Sequence, residues 1–309
     1  MTNTVFEGKI IKNTGGLYTV REKCGMGSKE INCRARGVFR HNNVTPLVGD
    51  NVDVALSDGQ SGAVICGIKE RKNSLIRPPI SNVDCIFVTV AASAPSPMLD
   101  MIDKLVSILE FKSIEPVIVI GKTELDRDMS GFIADIYRKV GFSVFRVSCV
   151  TGEGIADLHS YIESVIDNKT VAFAGASGVG KSTLINRLFD GLTLETGEVS
   201  RKTNRGRHTT RSVTLLPVLD GRGYIADTPG FSMLDFEKFD FFETDDLALT
   251  FREFTPFLGK CRYTKCTHTK EEGCAVLEAV GKGDIPKSRH ESYVMLYEVL
   301  KNKHKWDKK

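Results

Sequence analysis

Hydrophobic positions over residues 1–75 come in short β-branched bursts: F-E-G-K-I-I, L-Y-T-V-R, I-N-C-R-A-R, D-N-V-D-V-A-L and G-A-V-I-C-G-I, broken by turn signals such as N-T-G-G. Strands of this length without intervening helices predict a small five-stranded barrel such as an OB-fold. From residue 83 the rhythm changes. The runs D-C-I-F-V-T-V, P-V-I-V-I-G and F-S-V-F-R-V-S alternate with helical patterns such as M-I-D-K-L-V-S-I-L-E. That alternation predicts a mostly parallel sheet covered on both faces, an α/β architecture. Residues 213–219 and 223–227 are joined by the tight turn D-G-R-G, so this pair is expected to be antiparallel within a six-stranded sheet. Near the end, Tyr293, Leu296, Tyr297 and Leu300 recur at helical spacing, with Pro286 close to the start of that pattern.

Between F-S-V-F-R-V-S and the segment 213–219 stands V-A-F-A-G-A-S-G-V-G-K-S-T, residues 171–183: an apolar strand, a glycine-rich turn and a helix start. Gly175, Gly178 and Gly180 can take backbone angles closed to other residues, so the loop 175–183, with Ala176, Ser177, Val179 and Thr183, turns successive N–H groups onto α- and β-phosphates. Lys181 is expected to reach the β- and γ-phosphates, and the Ser182 hydroxyl to ligate Mg²⁺. Leu184, Ile185 and Leu188 then give the helix an apolar face.

A nucleotide site must also hold a base, and no Asn-Lys-x-Asp segment follows this loop. Upstream, one strand ends in Gly121-Lys122-Thr123-Glu124 and the next in Ser148-Cys149-Val150. These occupy the places where a guanine-binding protein carries Asn-Lys-x-Asp and Ser-Ala-Lys. Cutting the usual linear order so that the last three strands come first restores every part of the pocket, which predicts circular permutation. Such rearrangement is tolerated when the ends of a domain lie close together at its surface.

Downstream, D-T-P-G at 227–230 follows an apolar strand end, where Asp227 can hold the water shell of a nucleotide-bound Mg²⁺ and Gly230 can bring its N–H to the γ-phosphate. The polar stretch T-G-E-V-S-R-K-T-N-R-G-R-H-T-T-R between them reads as a switch that orders around γ-phosphate and Mg²⁺, with Thr209 or Thr210 as the second hydroxyl ligand. D-T-P-G then leads directly into the C-terminal region, so nucleotide state is expected to bias that region's orientation.

The chain has 309 residues, 41% hydrophobic and 26% charged, with a formal net charge of +3. Two or three domains are expected, and any nucleic-acid surface must come from local clustering. Arg34, Arg36, Arg40, Arg71 and Arg77 on the barrel, and the tail K-N-K-H-K-W-D-K-K, are candidates for phosphate-backbone contact; solvated charge is the competing reading. The start M-T-N-T-V-F-E-G-K-I lacks a basic segment followed by an apolar one, and no stretch approaches eighteen apolar residues, so a cytoplasmic protein without membrane contact is expected. Cys24, Cys33, Cys66, Cys85 and Cys149 stand singly and read as small buried hydrophobes. Cys261, Cys266, His268 and Cys274 instead form a closed set of four ligands, which favours one structural Zn²⁺ and leaves no open position for metal catalysis.

With E-R-K-N-S-L-I-R-P, G-A-S-G-V-G-K-S-T, R-G-R-H-T-T-R, D-T-P-G-F, F-R-E-F, C-R-Y-T-K-C-T-H and G-C-A-V in this order, the chain resembles the bacterial ribosome small-subunit-dependent GTPase family (RsgA) over essentially its whole length. The resemblance implies an N-terminal OB-fold over 1–75, a circularly permuted P-loop GTPase domain over 76–235 and a helical zinc domain with a basic tail over 236–309. It implies a Mg²⁺-dependent GTPase, expected as a monomer, acting in late maturation of the 30S subunit with 16S rRNA as partner and GTP and GDP as ligands. Phe231 stands where many GTPases place a water-orienting Gln, and the resemblance makes His208 the candidate for that role beside Lys181 and Thr210 in hydrolysis. Two features depart from the pattern. Gly121 lacks the usual side-chain amide while Glu124 offers its carboxylate on a longer arm, and 148–150 lacks the usual Lys. A diverged paralogue with relaxed nucleotide choice, and an RNA-binding switch with little hydrolysis, are the alternatives.

Overall fold

A computed structural model describes residues 5–23, 29–41, 44–56, 62–76, 78–189, 192, 213–231 and 243–306. The elements run β1 (Val5–Thr14), β2 (Leu17–Glu22), β3 (Glu30–Ala35), α1 (Gly37–His41), β4 (Asn51–Leu56), β5 (Ala63–Ile68), β6 (Ser74–Leu75), β7 (Ile80–Ser81), β8 (Cys85–Ala91), α2 (Leu99–Phe111), β9 (Glu115–Gly121) and α3 (Arg127–Lys139). They continue with β10 (Ser143–Arg146), α4 (Ile155–Val165), β11 (Thr170–Ala174), α5 (Lys181–Leu188), β12 (Thr214–Val218), β13 (Gly223–Phe231), α6 (Thr244–Leu247), α7 (Ala275–Lys282) and α8 (Lys287–Trp306). The chain divides into two compact units. One holds Met1–Cys85, Ser160–Phe173 and Glu198–Phe231; the other holds Ile86–His159, Ala174–Gly197 and Ser232–Lys309.

In the first unit β1 pairs antiparallel with both β2 and β4, and β3 pairs parallel with β5, closing a five-stranded barrel. Ile10, Val20, Cys33, Val52, Val54 and Ile65 fill it and are fully buried. The period-2 alternation of the sequence follows from that geometry, because successive side chains of a strand face opposite sides. A short helix, α1, interrupts the expected helix-free run between β3 and β4. β12 pairs antiparallel with β13, and Thr214 of β12 also stands opposite Lys12 of β1.

Two sequence expectations change here. Arg71, a candidate for backbone phosphate contact, forks onto the fully buried Asp50 carboxylate at 2.7 and 2.8 Å and also donates to Thr45 O. Ser81 Oγ and Leu47 N donate to the same carboxylate, so this arginine fastens the segment after β5 to the barrel. Arg34 and Arg36 are exposed, whereas the side chain of Arg40 and all of Arg77 lie outside the described residues. Second, β13 runs through 227–230 instead of ending before it. A residue preceding proline is held extended, and Thr228 precedes Pro229.

In the second unit β8, β9 and β10 lie side by side, with β9 and β10 parallel. All seven residues of β8 are buried, as are the last six of β9, which explains their unbroken apolar runs. The C-terminal segment packs on the helices of this unit through an ion cluster that the sequence reading missed. Arg289 of α8 is fully buried, donating to Asp103 of α2 at 2.7 Å and to Glu253 at 2.7 Å, with its guanidinium 4.5 Å from the Phe251 ring centre. Tyr137 Oη of α3 donates to the same Asp103 at 2.7 Å. Arg252 adds an ion pair to Glu110 and lies 4.1 Å over the Phe142 ring. Among the described residues, no helix is long and apolar enough to cross a membrane.

Candidate nucleotide site and metal centre

The phosphate loop leaves the end of β11, whose five residues are all buried, and enters α5 at Lys181. Its three glycines take φ values of 155° at Gly175, 82° at Gly178 and 99° at Gly180. A Cβ on Gly175 would stand 2.2 Å from the Thr89 carbonyl oxygen, so only glycine lets the turn pass β8. Lys181 Nζ donates to the carbonyls of Gly175 and Ala176 at 2.8 and 2.9 Å, which aims its ammonium along the loop. Burial pushes the Lys181 ammonium below its ordinary value. A phosphate at the loop offsets that cost by Coulomb attraction.

The segment 121–124 stands against this loop. Lys122, with a left-handed φ of 58°, donates from Nζ to Gly178 O at 2.8 Å and also to Ala94 O. The second segment is folded beside the first: Val147 N donates to Ile120 O at 2.8 Å and Thr123 N to Val147 O at 3.4 Å. Ser148 is fully buried, and its Oγ accepts from Thr151 N at 3.0 Å, closing the turn over 148–151. Burial pushes the Cys149 thiol up, helped by the Glu124 carboxylate and opposed by Arg187. Thus 121–124 and 148–150, written upstream, come together with 175–183, written downstream.

Asp227 stands on β13 opposite Thr214, and burial raises its carboxyl above the ordinary range. A half-buried carboxylate of this kind is relieved by a cation. Gly230 lies further along β13. His208, Thr209 and Thr210 lie outside the described residues, as does the rest of the stretch 193–212.

Cys261, Cys266, His268 and Cys274 bring their ligand atoms within 4.8 Å of one another. The separations Cys261 Sγ to Cys274 Sγ at 3.8 Å, Cys261 Sγ to His268 Nδ1 at 3.5 Å and Cys274 Sγ to His268 Nδ1 at 3.4 Å are edges of a small tetrahedron. Metal–sulfur bonds of about 2.3 Å give a tetrahedral edge of about 3.8 Å. Burial and the neighbouring thiols push Cys266 up to about 12, so the crowd of sulfurs opposes ionisation until a cation is among them. Glu271 accepts from the Thr267, Thr269 and Lys270 backbone N–H groups and from the Thr267 hydroxyl, and these bonds outweigh burial to hold its carboxyl down at about 2. His290 Nε2 donates to His268 O and Tyr293 Oη to Thr267 O, each at 2.8 Å.

Sequence reasoning missed the Lys122 strap and the Arg289 cluster. The second carried a signal: position 289 lies one helical step, four residues, before Tyr293 on the inward stripe of α8.

A glycine-lined loop entered from a buried strand, with 121–124 from an earlier strand fastened against it, has the form of a P-loop GTPase of circularly permuted order. The family model described as RsgA GTPase matches residues 68–237, and the RsgA N-terminal domain model matches residues 7–64. The chain belongs to the RsgA GTPase family. It is 42% identical to the small ribosomal subunit biogenesis GTPase RsgA of Caldanaerobacter subterraneus subsp. tengcongensis, over 97% of this chain and 97% of the relative. It is 39% identical to that of Bacillus subtilis strain 168, over 96% of this chain and 98% of the relative. The crystal structure of YloQ, described as a circularly permuted GTPase, superposes with a TM-score of 0.78 at 34% identity, covering 97% of this chain and 96% of that one. YjeQ from Thermotoga maritima gives a TM-score of 0.81 at 32% identity, covering 96% and 99%.

Proposed function

We propose that this protein hydrolyses GTP as a factor in biogenesis of the small ribosomal subunit, in the cytoplasm, with rRNA of that subunit among its contacts and with the monomer as the acting form. One structural observation carries the site: the Lys122 strap onto Gly178, which brings the base-side segment to the phosphate loop. The name shared by the full-length relatives supports the ribosomal part. Neither relaxed nucleotide choice nor a switch without hydrolysis is favoured, because relatives matching 97% and 96% of the chain are GTPases by name.

On this reading the N–H groups of 175–183 hold the phosphates and Lys181 neutralises charge growing on the β–γ bridge. Gly121, Lys122, Thr123 and Glu124, with Ser148, Cys149 and Val150, enclose the base. Ser182, Asp227 and Thr209 or Thr210 hold Mg²⁺, which when bound polarises the phosphoryl oxygens. Gly230 supplies an N–H toward the γ-phosphate. Because Phe231 has no group to orient water, His208 is assigned that task. Cys261, Cys266, His268 and Cys274 hold a structural zinc. We assign 1–75 to the barrel, 76–235 to the GTPase domain and 236–309 to the zinc domain, with nucleotide state reaching the last through 227–230.

Phosphate release from GTP by the full-length protein, measured alone and with purified small or large subunits, tests the proposal. Acceleration by small subunits only, lost in Lys181→Ala, is expected. Equal rates with both subunits contradict the ribosomal assignment.

A further inference from the structure

β1 serves two sets of strands. Its first half, residues 5–9, pairs with β4 as part of the barrel, while Lys12, beyond a break in register after Ile10, stands opposite Thr214 of β12. Thr214 stands in turn opposite Asp227 of β13, so Lys12, Thr214 and Asp227 form one row across three strands. Successive residues of a strand face opposite sides, and one extra residue changes that count. Lys9 pairs with Arg21 and Lys12 with Thr19, two positions apart on β2. The bulge at Ile11 therefore turns both lysines to the side away from the buried Ile10 and Val20.

On that side Lys9 meets the roots of two further strands. Its Nζ donates to Oγ1 of Thr170, where β11 begins, at 3.1 Å, and lies 5.4 Å from the ring centre of Tyr224, the second residue of β13. The two roots are stitched together, Asn168 N donating to Arg222 O at 2.7 Å and Tyr224 N to Lys169 O at 2.9 Å. A Cβ on Gly223 would stand 2.5 Å from Ile166 O, so only glycine lets β13 begin this close. Thr170 is fully buried with every polar group engaged: its N–H donates to Asp84 Oδ2 at 2.9 Å and its carbonyl accepts from Asp84 N at 2.8 Å. From Thr170 the chain runs straight on to Gly175 of the phosphate loop, and from Tyr224 to Asp227.

Stability does not explain this choice of side chain. Burial pushes the Lys9 ammonium below its ordinary value, against the pull of the Asp84 carboxylate. A withdrawn charge whose partners are a hydroxyl and a ring recovers little of its desolvation, and an apolar side chain of similar size would hold the fold as well. What the ammonium adds is direction, one donor aimed at one acceptor across one aromatic face.

We infer that Lys9 is a positioning residue for GTP hydrolysis: it fastens the bulged barrel strand β1 to the roots of β11 and β13, and so fixes the strand that presents Asp227 to Mg²⁺. The inference rests on the GTPase reading and adds to it a barrel residue on which the metal end of the site depends.

The test compares the full-length wild type with Lys9→Met, Thr170→Val and the double variant. Release of fluorescent GDP is followed over a range of Mg²⁺ concentrations and in excess EDTA, with amide hydrogen exchange at 223–227 as a second readout. Lys9→Met should raise the Mg²⁺ concentration needed to retain GDP about fivefold, leaving affinity in EDTA within about twofold of wild type. Exchange at 223–227 should quicken by about tenfold, while the melting temperature stays within about 3 °C. In hydrolysis, kcat should fall with KM unchanged and recover at high Mg²⁺. Thr170→Val should act in the same direction, and the double variant should be no worse than the more affected single one, because both remove one contact. Should Lys9→Met fail to fold, the isosteric Thr170→Val must still show the raised Mg²⁺ requirement. An unchanged Mg²⁺ requirement in folded Lys9→Met, additive effects in the double variant, or equal loss of GDP with Mg²⁺ and with EDTA overturns the positioning role. A wild type whose GDP retention ignores Mg²⁺ would instead refute the GTPase reading of Asp227.

Discussion

Lys122 Nζ lies 2.8 Å from the carbonyl oxygen of Gly178, joining a strand end to a phosphate loop fifty-six residues further along the chain. In an unpermuted order the loop would come first and the strap would reach back to it. Removing the ammonium, by Lys122→Ala, should leave the fold intact and loosen the base turn. Nucleotide affinity is expected to fall about tenfold, read by titration with a fluorescent GDP.

The loop glycines are not equivalent. Gly175→Ala drives a Cβ to 2.2 Å from Thr89 O, whereas Gly178→Ala meets nothing within 4 Å and bears only the strain of φ 82°. Gly175→Ala should cost more than about 2 kcal/mol in urea denaturation and abolish nucleotide binding. Gly178→Ala should cost about 1 kcal/mol.

Arg289, Asp103 and Glu253 have side-chain exposures of 0, 1 and 5%. Arg289→Met retains the volume but strands two carboxylates, so a loss of about 3–5 kcal/mol is expected in equilibrium unfolding. A loss under about 1 kcal/mol would show that the cluster is spectator chemistry.

Removal of zinc should act on the C-terminal segment. A strong chelator is expected to release about one zinc per chain, measured by elemental analysis, and to lower the melting temperature. Cys274→Ser should reproduce the loss. A protein purified with negligible zinc and unchanged melting would contradict the assignment.

Where local pattern decided the outcome, the sequence was readable. Burial alternates along β4 as Val52 and Val54 require, and the unbroken run of β8 reports burial on both faces. The phosphate loop and the four-ligand cluster were readable because their spacing is short and their chemistry particular. What escaped depends on contacts between distant positions. Arg71 looked like a free basic group, but its partner Asp50 lies twenty-one residues away; Arg289 meets Asp103 across 186 residues. Charge composition gives no hint of such pairing. The helix α1 was missed because five residues, Gly37–His41, carry too little periodicity to register.

Amide hydrogen exchange on the full-length protein, with and without GDP, tests the permuted pocket most directly. The account predicts joint protection of 121–124, 148–150 and 175–183 on GDP binding, with pyrophosphate protecting only the last. Protection confined to 175–183 with GDP itself would contradict it.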